Sequence, residues 1–133
     1  TAGCIQKKEI MEFLNTNVGK RMQNAARAKT LYREQPFVLG VDAKEFYPDQ
    51  KKGEMVLIQG IIDVFWIEED GIVVLDYKTD RVKTGKELAD RYASQLKLYG
   101  EALERIYNHG SERTLRVKER LLYSFRLGAV IPV

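Results

Sequence analysis

The sequence predicts an α/β fold, an α+β sandwich in which a mixed central sheet is flanked by helices. Three observations carry that expectation: two segments of helical periodicity near the start, a β-branched and aromatic run from Met55 to Tyr77, and one long apolar helical stripe after it. The expected element order is α-α-β-β-β-α-β.

The elements follow in chain order. Ile5, Ile10, Phe13 and Leu14 recur at helical spacing, so a first helix is expected to end near Leu14. Asn15-Thr16-Asn17 reads as a break, with Asn17 as N-cap of a second helix reaching about Lys29. Pro36 ends any helical tendency, and Phe37 to Val41 reads as a strand. Pro48, Asp49, Lys51, Lys52 and Gly53 supply turn chemistry. Met55–Ile67 and Ile72–Tyr77 are the most strongly β-like segments, joined through Glu68-Glu69-Asp70-Gly71, whose Asp-Gly step favours a hairpin. Thr84 and Glu87 have capping-box spacing ahead of a helix from about Lys86 to Tyr107. Leu88, Tyr92, Leu96, Tyr99, Leu103 and Ile106 form its apolar stripe, and Gly110 suits a left-handed position past its end. Leu121–Phe125 is expected as the last strand, continued by Val130–Val133.

At 133 residues, 44% hydrophobic and 31% charged, the chain is expected to form one domain over residues 1–133. No apolar run approaches the roughly 20 residues of a membrane span, and Thr1-Ala2-Gly3-Cys4-Ile5 lacks a basic-then-apolar signal pattern. The chain does not open with Met and reads as a fragment of something larger. A single cysteine, Cys4, forms no internal disulfide and supplies no cysteine-based metal site, which fits a reducing cytoplasm. The net charge of +3 is small, but basic residues from Arg81 to Arg126 crowd the C-terminal half. That bias suits phosphate neutralisation, and equally a solvated basic surface.

Chemistry concentrates in the hairpin. Asp63 lies inside the apolar run Ile61-Ile62-Asp63-Val64-Phe65, and Asp76 and Lys78 lie in Val74-Leu75-Asp76-Tyr77-Lys78. Strand interiors disfavour such residues, and a buried carboxylate is costly without a partner. Alternation puts Asp76 and Lys78 on one face. A two-residue Asp70-Gly71 turn sets Asp63 opposite Lys78, and a four-residue Glu68–Gly71 loop sets it opposite Asp76. Either brings all three together, whereas a three- or five-residue loop sends Asp63 to the other face. Two adjacent carboxylates repel, and a hard cation with oxygen ligands removes the conflict, Mg²⁺ being natural where phosphate completes the shell. Such a cation polarises a phosphoryl oxygen, and Lys78 neutralises charge developing on it. The bland alternative is a cross-strand ion pair between Asp63 and Lys78, with Asp76 ending its strand.

Gly60-Ile61-Ile62-Asp63, then Asp76-Tyr77-Lys78-Thr79-Asp80-Arg81, then Gln95 with Tyr99, resembles the PD-(D/E)XK nuclease superfamily. More narrowly it is similar to the RecB-type nuclease domain at the C-terminus of AddA-type helicase–nuclease subunits. Arg33-Glu34-Gln35-Pro36-Phe37 resembles the segment that opens the sheet in that group, and the likeness runs from about Leu31 to Arg126. The resemblance implies a restriction-endonuclease-like fold and a metal-dependent DNA nuclease that hydrolyses phosphodiester bonds. It would be part of an ATP-dependent helicase–nuclease processing double-strand breaks for recombinational repair. It also implies that Asp63, Asp76 and the backbone carbonyl of Tyr77 bind Mg²⁺, with Mn²⁺ as substitute, and that Lys78 is catalytic. Gln95 and Tyr99 match a Gln-x-x-x-Tyr motif and, four apart on a helix, project to one side to contact DNA or brace the site. Plain core packing is the competing expectation for Tyr99. The implied partners are DNA, the remainder of the helicase chain and an AddB-like partner, with no membrane, in the cytoplasm.

The chain also departs from the group. Many relatives carry a metal-binding His on a helix upstream of the first strand, whereas the one His here, His109, lies downstream at a helix end. One Cys excludes the four-cysteine iron–sulfur cluster of some relatives, and no Gly-x-x-x-x-Gly-Lys loop offers a nucleotide site. The alternative function is a non-catalytic DNA-binding or subunit-scaffolding module of the same fold.

Overall fold

A computed structural model of the chain describes residues 6–45, 53–108 and 114–133. The elements are α1 (Lys7–Leu14), α2 (Asn17–Arg27), β1 (Leu31–Asp42), a short 3-10 turn (Ala43–Glu45), β2 (Met55–Glu68), β3 (Gly71–Lys78), α3 (Gly85–Asn108), β4 (Val117–Ser124) and β5 (Ala129–Pro132). They form one five-stranded sheet in the order β1-β2-β3-β4-β5. Every pairing is antiparallel except β3 with β4, which run parallel and are joined through α3. The sheet is therefore mixed, as expected, although two strands rather than one follow α3: Gly128, at φ +62, turns the chain back so that β5 pairs with β4.

Helix α3 covers one face, burying Leu88, Leu96, Tyr99 and Leu103 against Phe37, Leu39, Ile62, Phe65 and Val74. Helices α1 and α2 cover the other, where Phe13, Met22 and Ala25 meet Val64, Trp66, Val73, Leu75 and Tyr123. Strand β3 lies between the two layers, and Ile72–Leu75 are fully buried, which explains their continuous apolar run.

Several local expectations change. Thr16, not Asn17, caps α2: its Oγ1 accepts from the backbone N–H of Gly19 at 2.9 Å, the geometry that satisfies an orphan helix donor. Strand β1 begins six residues before Phe37 and runs straight through Pro36. An edge strand has one side free of ladder bonds, so the missing N–H of proline is tolerated there. Ile106 is 51% exposed and leaves the α3 stripe. His109 and Gly110 lie outside the described residues, as do Pro48, Asp49, Lys51 and Lys52.

The hairpin register is Val64↔Leu75 through Glu68↔Gly71, so Glu69-Asp70 is the turn and Gly71 opens β3. Of the two expected registers, this is the one given by the Glu68–Gly71 loop, not the one centred on an Asp70-Gly71 turn. Gly71 is needed for a different reason: a Cβ there would sit 2.8 Å from the carbonyl oxygen of Arg116, to which Ile72 N–H donates at 2.9 Å. Glycine admits β4 to the sheet rather than making the turn.

Strands β1 and β2 change face together at one step. Tyr32, stacked on Phe65, and then Phe37, Leu39 and Val41 all turn toward α3, so the inward set passes from even to odd numbers along β1. Along β2 the same layer takes Val56, Ile58 and Ile62 and then Phe65. Glu34, at φ +50, is where the inversion occurs, and Glu34–Asp63 is the one step missing from an otherwise continuous register. Asp63 therefore lies where its strand leaves regular pairing.

Candidate active site

Beyond Val64, β2 pairs only with β1, while β3 continues alongside β4 to Lys78. The carboxylate of Asp63 spans this opening: its Oδ2 accepts from the backbone N–H of Tyr77 at 3.0 Å, taking the place of a ladder bond. Continuing the β2–β3 register sets Asp63 opposite Asp76.

Asp76 is 2% exposed. Its Oδ2 lies 2.7 Å from Lys78 Nζ, yet outside hydrogen-bond geometry, so the oxygen is buried with no hydrogen-bond partner. Burial pushes the Asp76 carboxyl up to about 7, the hydrogen-bonded Asp63 carboxylate beside it pushes the same way, and Lys78 opposes both. Lys78 is held on three sides: by Asp76, by Gln95 Oε1, which accepts from Nζ at 3.2 Å, and by the Tyr92 ring, whose centroid is 3.9 Å from Nζ. Tyr99, one turn along α3 from Gln95, is 7% exposed and packs edge-on against Phe37 at 5.5 Å. Burial raises its phenol to about 12, with the charges of Asp76 and Asp63 adding to the effect. Its ring belongs to the core while its hydroxyl feels the acidic pair, so packing and site proximity both hold for this residue.

The structure thus brings Asp63, Asp76, Lys78 and Gln95 into one cluster, with Tyr99 behind it. Sequence reasoning missed Tyr92 and Asp80 as parts of the surroundings. Tyr92 Oη donates to Asp80 Oδ2 at 2.7 Å, and Arg91 Nη1 donates to the same oxygen at 2.8 Å. The available signal was spacing: Tyr92 precedes Gln95 by three residues and so shares its helix face.

On the α1–α2 side an open cleft of about 520 Å³ is walled by Phe13, Met22, Tyr77 and Phe125, with Asp63 and Arg33 also lining it. Asp63 therefore borders both the cleft and the cluster. Among the described residues no group of three or more His, Cys, Asp and Glu side chains is gathered as a metal site. The cluster offers two carboxylates, so a third protein ligand would be a backbone oxygen. The buried Asp76 carboxylate, charge-paired with Lys78 and set beside a second carboxylate, is the oxygen-donor chemistry a hard divalent cation requires.

Two acids and a lysine gather at the open end of paired strands, on a mixed sheet between helices. The sequence model of the PD-(D/E)XK nuclease superfamily matches residues 6–128, and the chain belongs to that superfamily. It is similar to an AddA-type ATP-dependent helicase/nuclease protein of Thermoanaerobacter sp. (strain X514), 39% identical over 128 residues, covering 92% of this chain and 10% of that protein. The counterpart from Syntrophomonas wolfei subsp. wolfei is 42% identical over 131 residues, covering 97% of this chain and 10% of its own length. That of Bacillus mycoides (strain KBAB4) is 40% identical over 130 residues, covering 89% and 10%. The chain spans about a tenth of the curated relatives it matches.

Proposed function

We propose that this chain is a metal-dependent DNA nuclease domain, part of a longer ATP-dependent helicase–nuclease that acts in double-strand-break repair. The observation that carries the proposal is the buried Asp76 carboxylate set beside a second carboxylate, Asp63, and 2.7 Å from the Lys78 ammonium. Superfamily membership supports hydrolysis of a phosphodiester, and the names of the relatives support the helicase context.

Asp63, Asp76 and the backbone carbonyl of Tyr77 would hold Mg²⁺, or Mn²⁺ in its place. The ion would supply Lewis-acid polarisation of the phosphate and activation of water. The chain's own residues do the rest. Lys78 presents a fixed ammonium where negative charge builds on the phosphate, a contribution larger in the transition state than in the ground state. Gln95 fixes that ammonium from the helix side. Tyr99, its phenol pushed up to about 12 by burial, can offer a hydrogen bond as a neutral hydroxyl. Exposed Arg81 and Lys83, on the segment leaving β3, have no ion pair among the described residues and are suited to DNA phosphates. The proposed partners are DNA, the rest of the polypeptide and an AddB-like protein. The bacterial relatives are the ground for proposing a cytoplasmic location, and no described helix is long and apolar enough to cross a membrane.

The test is cleavage of labelled single- and double-stranded DNA in Mg²⁺ and in EDTA. Cleavage in Mg²⁺ that EDTA abolishes is expected. DNA binding without cleavage in any divalent ion would favour the non-catalytic module.

A further inference from the structure

We propose that Tyr92 is the positioning residue for the Lys78 ammonium, holding it under the ring face while Asp80 holds the ring; the kinetic part of this inference rests on the nuclease reading above. A lysine side chain has many rotamers, and directing its charge at one point requires several contacts. Here Nζ lies 2.7 Å from Asp76 Oδ2, 3.2 Å from Gln95 Oε1 and 3.9 Å from the Tyr92 ring centroid. Asp76 is the partner that a bound cation would share. Tyr92 and Gln95 are the contacts that do not depend on that carboxylate. A ring face attracts the ammonium without competing with phosphate as an anion would, so the lysine stays oriented toward phosphate.

The ring is itself fixed. Its hydroxyl donates to Asp80 Oδ2 at 2.7 Å, and Arg91 Nη1 donates to the same oxygen at 2.8 Å. That hydrogen bond to Tyr92, followed by the one from Arg91, holds the Asp80 carboxyl below its usual range, so the anchor is anionic at neutral pH. Asp80 follows Lys78 by two residues, and Tyr92 stands on α3. The Asp80–Tyr92 bond therefore ties the end of β3 to the helix across the lysine. Simple packing explains neither the hydroxyl's bond nor the placement of Nζ over the ring.

The test compares Tyr92→Phe, Tyr92→Leu and Asp80→Asn with the parent chain. The first readout is the carbon–proton correlation signal of the Lys78 ε-methylene without metal, assigned by its loss in Lys78→Arg. Ring current should displace it upfield of the other lysines in the parent. It should return to their position in Tyr92→Leu and fall between in Tyr92→Phe and Asp80→Asn, which both loosen the hold on the ring. The second readout is Mg²⁺-dependent DNA cleavage. Tyr92→Leu should lower kcat by about tenfold with KM changed less than about twofold, while Tyr92→Phe stays within about threefold of the parent. A residue that only filled space would make Leu and Phe behave alike. An undisplaced Lys78 signal in the parent, a signal unmoved by Tyr92→Leu, or parental kcat in Tyr92→Leu would each overturn the inference. A parent chain that cuts no DNA would instead count against the nuclease reading, and the Lys78 signal alone would then decide the placement.

Discussion

Asp76 is buried beside a second carboxylate, and burial and Asp63 both favour its protonated form while Lys78 opposes them. Its pKa rises from an ordinary 3.8 to about 7 on folding, chiefly through burial and then through Asp63. A raised folded value means that the folded state binds the extra proton, so stability is full below about pH 4 and is lost as pH rises through about 7. In chelator, the parent should lose about 1–3 kcal/mol more than Asp76→Asn between those limits, measured by urea titration at several pH values. Equal slopes for the two proteins would show that the carboxyl does not carry the shift. This residue was legible in the sequence because a charge inside Val74-Leu75-Asp76 has no cheap structural reason to be there. Tyr92 was not legible, because a tyrosine on an apolar stripe reads as core until the lysine beneath it is seen. Tyr99 was legible only as an alternative: its ring packs in the core, as one half expected, and its hydroxyl feels the nearby acidic pair.

The β1–β2–β3 unit turns on a few backbone positions. Alternation and an even-length loop predicted that Asp63, Asp76 and Lys78 share a face; the register is that of the Glu68–Gly71 alternative, but Asp63 lies at the inversion and borders the α1–α2 cleft as well as the Asp76 side. The face inversion at Glu34 was not legible, because nothing in Arg33-Glu34-Gln35 marks a left-handed residue. Nor was the full length of β1, since Pro36 reads as a breaker until its strand is known to lie on an edge. A non-glycine residue at φ +50 is strained by roughly 1–2 kcal/mol. Glu34→Gly should therefore leave stability nearly unchanged, relieved strain offsetting the greater freedom of the unfolded chain. Glu34→Val should destabilise by about 1–2 kcal/mol beyond that, because a branched Cβ resists this conformation further. Thermal unfolding of the two variants distinguishes them, and equal melting temperatures would argue that the kink does not persist in solution.

Across the whole molecule, an ion-pair network at the hairpin turn opposes the pH response of the site. Arg21 joins Glu68 at 2.8 Å and also Glu119, Lys118 joins Glu68 at 2.7 Å and also Asp70, and Trp66 Nε1 donates to Glu68 at 2.8 Å, tying α2 to β2 and β4. The Arg21 hydrogen bond is the main cause holding the Glu68 carboxyl down at about 2, with Lys118 and Trp66 assisting against burial. A depressed folded value contributes stability above the ordinary 4.5 that is lost as pH falls toward about 2. The acid and neutral limbs together predict a metal-free stability maximum near pH 4–5. If Mg²⁺ binds the ionised pair as proposed, adding it should raise the neutral limb alone; a melting temperature raised equally at pH 4 would mean that the ion binds elsewhere. The C-terminal basic bias reads differently at this scale too: Arg91, Lys86, Arg116 and Lys118 are engaged with Asp80, Asp90, Glu104 and Asp70, so charge counting overstated what is free for DNA. The central claim is that phosphodiester hydrolysis happens at Asp63, Asp76 and Lys78, and cleavage by Asp76→Ala tests it most directly. With the intact polypeptide, DNA and Mg²⁺, the variant should lose cleavage by at least about 10³-fold while keeping its fold and DNA affinity. Cleavage at the parental rate by a folded Asp76→Ala protein would place the reaction elsewhere.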